Sequence, residues 1–441
     1  MPLAEVKSVE SGTYTEVELQ NGAQILQGDS ANIDKFDDLP SYLKGLYFIQ
    51  KSNLTPLTAT INTDCYAYLL ADENLVTTLK EAGFRQVQTY TKAEIWGTGG
   101  WHLNNNTISN KLCLMEKQVT AGDTITYGKS AEGTNKWAIF MTSRNQLQTP
   151  PMLEGNSVTL DGEIGINYYV YLNNTLAADT GRVTMQFTLP NSTEPMVVDE
   201  CTRNNDYDAY VFTCKIPAKH MADEIIARVY VDGVACDDEY TLSVMEYGNK
   251  LINDSTQSEE IKNLVKNMLH YGAYSQVYFD YNVDTRADAG LEPLDLTTVT
   301  QSSFETTVKT EEEGFGKITT ANLNLKAGTS LNLYLELADN VQEEIADYTF
   351  TCNGVVLEKG EFNGLLSVKI PNIAAHELDK IFTIEATKSG ESESSVVYTF
   401  SVFCYAYKAL DANANVREGL TDLMKAMYLY NSAAKVLLGS K

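Results

Sequence analysis

Apolar and polar residues alternate along much of the chain. Ile164, Ile166, Tyr168 and Val170 fall on one face at period two, the spacing of a half-buried strand. Val183-Thr-Met-Gln-Phe-Thr-Leu189 alternates in the same way and stops at the turn residues Pro190-Asn191-Ser192. Ile225 to Val231 ends at Asp232-Gly233, a two-residue hairpin signal. The period then changes. Ile261, Leu264, Val265, Met268, Tyr271 and Ser275 recur at steps of three and four and predict a helix over Glu259 to Phe279. Leu420, Leu423, Met424, Met427 and Val436 predict another over Val416 to Leu438. Shorter helices are expected before each, at Val244 to Ile252 and Val402 to Asp411.

The order of these elements occurs twice. Gly165-Ile-Asn-Tyr-Tyr169 matches Ser330-Leu-Asn-Leu-Tyr334, and Lys215-Ile-Pro217 matches Lys369-Ile-Pro371. His220 and Asp223 match His376 and Asp379; Tyr240-Thr-Leu-Ser-Val244 matches Tyr398-Thr-Phe-Ser-Val402. Leu264-Val-Lys-Asn-Met268 with Tyr271 matches Leu423-Met-Lys-Ala-Met427 with Tyr430. The separation of matched positions drifts, as loop insertions between matched elements would make it do. Two homologous units are therefore expected, at 149–293 and 294–441, each a β-sandwich with a C-terminal helical hairpin. Residues 1–148 carry all three tryptophans and several short strand patterns, among them Tyr14 to Leu19, Leu46 to Gln50, Ala59 to Leu70, Ala93 to Trp96 and Cys113 to Glu116, with one helix at Glu73 to Ala82. This pattern predicts a further β-sandwich. The expected fold class is mainly β, with three sandwich-type domains.

Composition narrows the function. The chain has 441 residues and a net charge of −26, so it repels phosphate backbones and anionic lipid, and nucleic acid is not an expected partner. No apolar run reaches the ~20 residues a membrane helix needs, so membrane insertion is not expected. The opening Met-Pro-Leu-Ala-Glu-Val lacks the basic start and apolar stretch of a signal peptide and reads as a cut from a longer chain. The 7 cysteines include no Cys-x-x-Cys pair. They read as small buried hydrophobes, with Cys201–Cys214 the one candidate bridge.

Catalytic constellations are sparse. With 4 histidines and no Gly-x-Ser-x-Gly elbow, no nucleophile–base–orienter set stands out. Among 59 acidic residues, paired carboxylates carry no signal. The chain is expected not to be an enzyme. Asp280-Tyr-Asn282-Val-Asp284 opens like a calcium loop, but Thr285 and Leu291 stand where an EF-hand needs Gly and Glu. No cofactor is expected, and Ca2+ at Asp280, Asn282 and Asp284 is the single metal candidate. The sharpest candidate for chemistry is Trp96-Gly-Thr-Gly-Gly-Trp101-His102-Leu-Asn104. Tryptophan rings stack on the apolar faces of sugars, and His and Asn side chains bond sugar hydroxyls. Trp96, Trp101, His102 and Asn104 are therefore candidate glycan-stacking residues; burial of both rings in the sandwich is the competing reading.

The repeat unit resembles a module of large cell-surface proteins of gut Firmicutes, of the Lachnospiraceae and Ruminococcaceae. Leu160-Asp-Gly-Glu-Ile-Gly-Ile-Asn-Tyr-Tyr169, Tyr210-Val-Phe-Thr-Cys-Lys-Ile-Pro-Ala-Lys219 and Met268-Leu-His-Tyr-Gly-Ala-Tyr-Ser-Gln276 carry the likeness. The second copy departs from it, with Tyr430-Asn-Ser-Ala-Ala434 in place of Tyr271-Gly-Ala-Tyr-Ser275. Residues 1–148 are similar to accessory β-sandwiches of polysaccharide-degrading enzymes, through Leu39-Pro-Ser-Tyr-Leu-Lys-Gly45, Gly122-Asp-Thr-Ile-Thr126 and Trp137-Ala-Ile-Phe140. These resemblances imply a secreted or cell-surface setting and bring no catalytic residues. The expected role is a non-catalytic surface protein that binds a glycan or polysaccharide. One alternative is an adhesin that captures a host protein such as an immunoglobulin; another is an accessory part of a larger glycoside-active enzyme.

Overall fold

The computed structural model describes residues 3–9, 14–21, 23–24, 36, 39–51, 57–91, 111–127, 138–159, 164–190, 192–304, 315–325, 328–393 and 395–438. It is mainly β, with several antiparallel sheets and a few helices, as the periodicity predicts. The sheets fall into three groups along the chain.

The first group has a six-stranded sheet, in the order Tyr14–Glu18, Tyr47–Lys51, Ala138–Ser143, Cys65–Asp72, Lys111–Val119, Arg85–Thr91. A three-stranded sheet of Ala4–Val9, Leu57–Ile61 and Thr124–Tyr127 accompanies it, and Ala59, Ile61 and Ile125 share a core with Leu69, Met115 and Phe140. The opposite face of the large sheet buries Phe48, Leu70 and Leu114 against Phe36, Leu39 and Leu43. Covering both faces removes the alternation expected of a one-sided strand, so Cys65–Asp72 is almost wholly buried. The expected single strand from Ala59 to Leu70 is two strands in different sheets, Leu57–Ile61 and Cys65–Asp72.

The second and third groups share one topology. The sheet Met152–Thr159, Gly165–Tyr171, Ala209–Lys215, Thr202–Asn204 corresponds in order to Gly316–Asn324, Ser330–Leu337, Leu365–Ile370, Glu358–Phe362. The sheet Met196–Val198, Val183–Thr188, Ile225–Val231, Val234–Leu242 corresponds to Val355–Val356, Tyr348–Cys352, Phe382–Lys388, Ser395–Phe400. Asp232 and Gly233 turn the first hairpin at φ 51° and 77°, the left-handed pair that a tight hairpin requires. Helices Val244–Asn253 and Glu259–Phe279 close the first of these groups; Val402–Ala409 and Leu420–Leu438 close the second. Side chains of Ser243, Ser258 and Ser401 accept backbone N–H bonds at the N-termini of three of these helices.

Glu259–Phe279 and Leu420–Leu438 pack against each other. At their contact Tyr271 and Tyr430 stack with ring centroids 5.5 Å apart and 17° between planes. The rings are buried, and burial pushes both phenols well above the ordinary tyrosine range. One continuous apolar cluster runs from Ile166 and Phe212, through Met268 and Leu269, to Leu423, Met427, Leu333 and Phe350. The two units therefore share a core.

The stretch after the first long helix, which opens like a calcium loop in sequence, is held in place by side chains of the fold. Asp280 caps the helix at φ 54°. Gln276, fully buried, donates to the carbonyls of Asn282 (3.2 Å) and Thr285 (2.9 Å) and accepts from the N–H of Ala287 (2.8 Å). Tyr281 donates to Asp223 at 2.6 Å, and His220 meets the same carboxylate at 2.6 Å, so the His220–Asp223 pair is a fold contact. In the second copy Lys435 takes the matching Asp379. All seven cysteines are free thiols, so the candidate Cys201–Cys214 bridge is not made: Cys214 points into the core and Cys201 is only half-buried.

Gly272 allows the close approach of helix and turn. A Cβ there would sit 2.6 Å from Met221 Sδ, 3.2 Å from the Ala218 carbonyl and 3.3 Å from Ala287 Cβ. Gly272→Ala is therefore expected to lower stability by about 1–2 kcal/mol, although Ala is ordinarily the better helix former by about 1 kcal/mol. Tyr271→Ala is expected to cost about 3–5 kcal/mol. Urea unfolding checks both; a Gly272→Ala protein more stable than wild type would refute this reading of the contact.

Candidate functional site

The junction between the first two sheet groups is built from polar side chains packed out of water. Buried Tyr68 accepts the Leu147 N–H (2.9 Å) and donates to Glu116 (2.7 Å). Gln146 donates to the other Glu116 oxygen (2.8 Å) and to Tyr171 Oη (3.1 Å), and accepts the Asn174 N–H (2.8 Å). Asn173 donates to the Thr149 carbonyl at 2.7 Å and caps the helix Asn174–Ala178. Arg85 lies 3.9 Å above the Tyr171 ring and bonds Asp208 at 2.5 Å. The bonds of Gln146 to Tyr171 and Asn174, of Asn173 to Thr149 and of Arg85 to Asp208 tie the first group to the second, so the junction is set by directional contacts as well as by apolar burial.

Above this network lies a cleft of ≈ 810 Å3. One wall is Pro40, Ser41, Tyr42, Gln88, Thr89 and Tyr90; the floor is Gln148 to Pro151; the other wall is Thr175, Arg182 and Val234 to Asp238. The Tyr42 and Tyr90 hydroxyls bond each other. Burial pushes the Tyr42 phenol up to about 12, against the opposing effect of the Tyr90 bond, so it stays neutral at physiological pH. Arg182 is occupied by a two-pronged ion pair with Asp232 (2.9 and 2.5 Å). Burial, reinforced by Asp237 and Asp238, pushes the Cys236 thiol up to about 11, which keeps it protonated and weakly nucleophilic. The cleft thus offers hydroxyl, amide and carboxylate groups over a floor that includes two prolines. That donor set suits an uncharged, hydroxyl-rich ligand.

The sequence candidates fall elsewhere. Trp96, Trp101, His102 and Asn104 lie outside the described residues, as does Trp137. In sequence, the tryptophan segment follows Thr91, next to Tyr90 of the cleft wall. Asp280, Asn282 and Asp284 are exposed at the turn that Gln276 holds. Among the described residues no group of three or more His, Cys, Asp or Glu side chains converges as a metal site would require. The cleft residues themselves come from six separate stretches with no fixed spacing. Only the likeness quoted for Leu39 to Gly45 touched one of them.

Burial raises the Glu116 carboxyl above 4.5, while its bonds from Tyr68 and Gln146 and the charge of Arg85 oppose the rise. A carboxyl raised on folding binds its proton more tightly in the native state, so its contribution to stability falls as pH climbs from 4.5 through the raised value. Glu116→Gln removes that ionisation. The melting-temperature difference between Glu116→Gln and wild type is expected to move in the variant's favour from pH 5 to pH 7. A constant difference would show that Glu116 does not titrate in this window.

The chain matches no protein-family model and none of the curated proteins with which it was compared.

Proposed function

We propose that this chain is a non-catalytic glycan-binding protein that works outside the cell, with the cleft between the first two sheet groups as its binding site. The observation that carries the reading is the cleft's composition: paired tyrosine hydroxyls, the amides of Gln88 and Gln148 and the carboxylates of Asp237 and Asp238 beside an apolar floor. Sugars are bound by such sets, because each hydroxyl both donates and accepts while ring C–H faces rest on apolar surface. The resemblances to gut Firmicutes surface modules and to accessory sandwiches of polysaccharide-degrading enzymes support an extracellular setting and a polysaccharide ligand. No helix among the described residues is long and apolar enough to cross a membrane.

A second reading, capture of a host protein, is favoured by one feature. Val355, Val356 and Phe362, on short strands of the third sheet group, are 62%, 67% and 52% exposed. Apolar side chains beside a sheet edge suit a protein partner.

A glycan array and an insoluble-polysaccharide pull-down test the proposal. Wild type is expected to bind. Gln148→Ala with Asp237→Ala, both exposed positions, is expected to weaken binding at least tenfold with melting temperature unchanged. Absence of binding to every glycan, with retention of a host secretory protein that is lost when Val355, Val356 and Phe362 are replaced by serine, would transfer the assignment to the second reading.

A further inference from the structure

The two units differ at one matched position in a way that packing does not explain. In the first unit Asn167 is satisfied within its own sheet: it donates to Ser157 Oγ (3.3 Å) and accepts from Thr213 Oγ1 (2.8 Å). Its register partners are those same residues. The matched Asn332 of the second unit has different partners, Asn322 and Lys369. No hydrogen bond among the described residues uses the side chain of Asn322 or Asn332. Asn322 and Asn324, two apart on one strand, stand on the same sheet face as Asn332. Where the first copy pairs its asparagine within the sheet, the second therefore presents a row of amides.

That row forms the floor of a groove of ≈ 350 Å3. Tyr278, from the end of the first long helix, lines it together with Tyr405 and Arg417. The Arg417 guanidinium stacks 5.0 Å from the Tyr278 ring centroid. Proximity of the Tyr278 phenol adds to burial in pushing the Tyr405 phenol up. The groove is complete only because the two units are docked: its floor belongs to the second and Tyr278 to the first.

We infer that this groove is a second, independent carbohydrate site, taking a neutral oligosaccharide. Side-chain amides present a donor and an acceptor side by side, which matches adjacent sugar hydroxyls, and the tyrosine rings supply faces for the sugar's C–H groups. An anionic ligand is disfavoured, because Arg417, the cation in the groove's lining, is stacked on an aromatic ring and the chain carries a net charge of −26. The inference shares only its ligand class with the proposed function; the two sites have no residue in common. Two sites on one chain would add avidity on a polymer that neither site binds tightly alone.

Isothermal titration of the full chain with maltoheptaose, cellohexaose, xylohexaose and an N-acetyllactosamine hexasaccharide provides the test. At least one is expected to bind with a stoichiometry of two. Asn322→Ala with Asn332→Ala is expected to reduce this to one without changing the melting temperature, and Gln148→Ala with Asp237→Ala to remove the other site. Asn322→Trp, at an exposed position, fills the groove without touching the core and serves if the double variant does not fold. A single site, lost with the Gln148 and Asp237 changes and indifferent to Asn322 and Asn332, would overturn this inference and leave the proposed function standing. A single site lost only with the asparagines would support the inference and overturn the cleft. Failure of all four sugars to bind would overturn this inference, and the glycan array then decides the proposed function separately.

Discussion

The stacked pair Tyr271–Tyr430 is the contact on which the arrangement of the last two units depends. Two small sandwiches, each with one apolar face on its long helix, would otherwise leave those faces wet. Packing helix on helix buries both at once, and the apolar cluster then runs through both units without a break. Stacked aromatic pairs are worth about 0.5–1.5 kcal/mol beyond the area they bury. The larger part of the stabilisation is the shared burial itself. Gly272 in the first copy and Asn431 in the second solve the same close approach differently. The glycine lets the turn carbonyl of Ala218 come near, whereas Asn431 donates to the carbonyl of Ala375 at 2.7 Å.

The two candidate binding surfaces follow from docking of this kind. The larger cleft lies where the first sheet group meets the second, and its floor is fixed by the Tyr68–Glu116–Gln146 network. The smaller groove lies where the second unit meets the helix of the first. Neither could exist on an isolated sandwich. The arginines in both linings are already engaged, Arg182 by Asp232 and Arg417 by the Tyr278 ring, so neither surface offers a free guanidinium to an anion.

Much of the fold was legible because its signals are local. The helix Glu259–Phe279 and the strand Ile225–Val231 occur with the bounds that periodicity assigns them, and Asp232-Gly233 makes the hairpin its chemistry demands. The duplicated topology was legible in matched residues such as Asn167 and Asn332. What was not legible depends on contacts between distant segments. Cys65–Asp72 loses its alternation because both faces of its sheet are covered. The anchoring of the stretch after Asp280 was not legible, because a single helix residue, Gln276, holds it through three hydrogen bonds that no spacing rule encodes. The site residues share that difficulty: Tyr42, Tyr90, Gln148 and Asp237 come together only when two sandwiches meet. The tryptophans that drew attention in the sequence lie outside the described residues, so the glycan reading now stands on other side chains.

The central claim is that the two long helices form one cooperative core. Native-state hydrogen exchange measured by mass spectrometry tests it most directly. The account predicts that backbone amides around Met268–Gln276 and Met424–Ala434 open together, with the same free energy and at the level of global unfolding. Exchange of one helix through a separate, cheaper opening while the other stays protected would contradict it, and with it the dependence of the second groove on the docked pair.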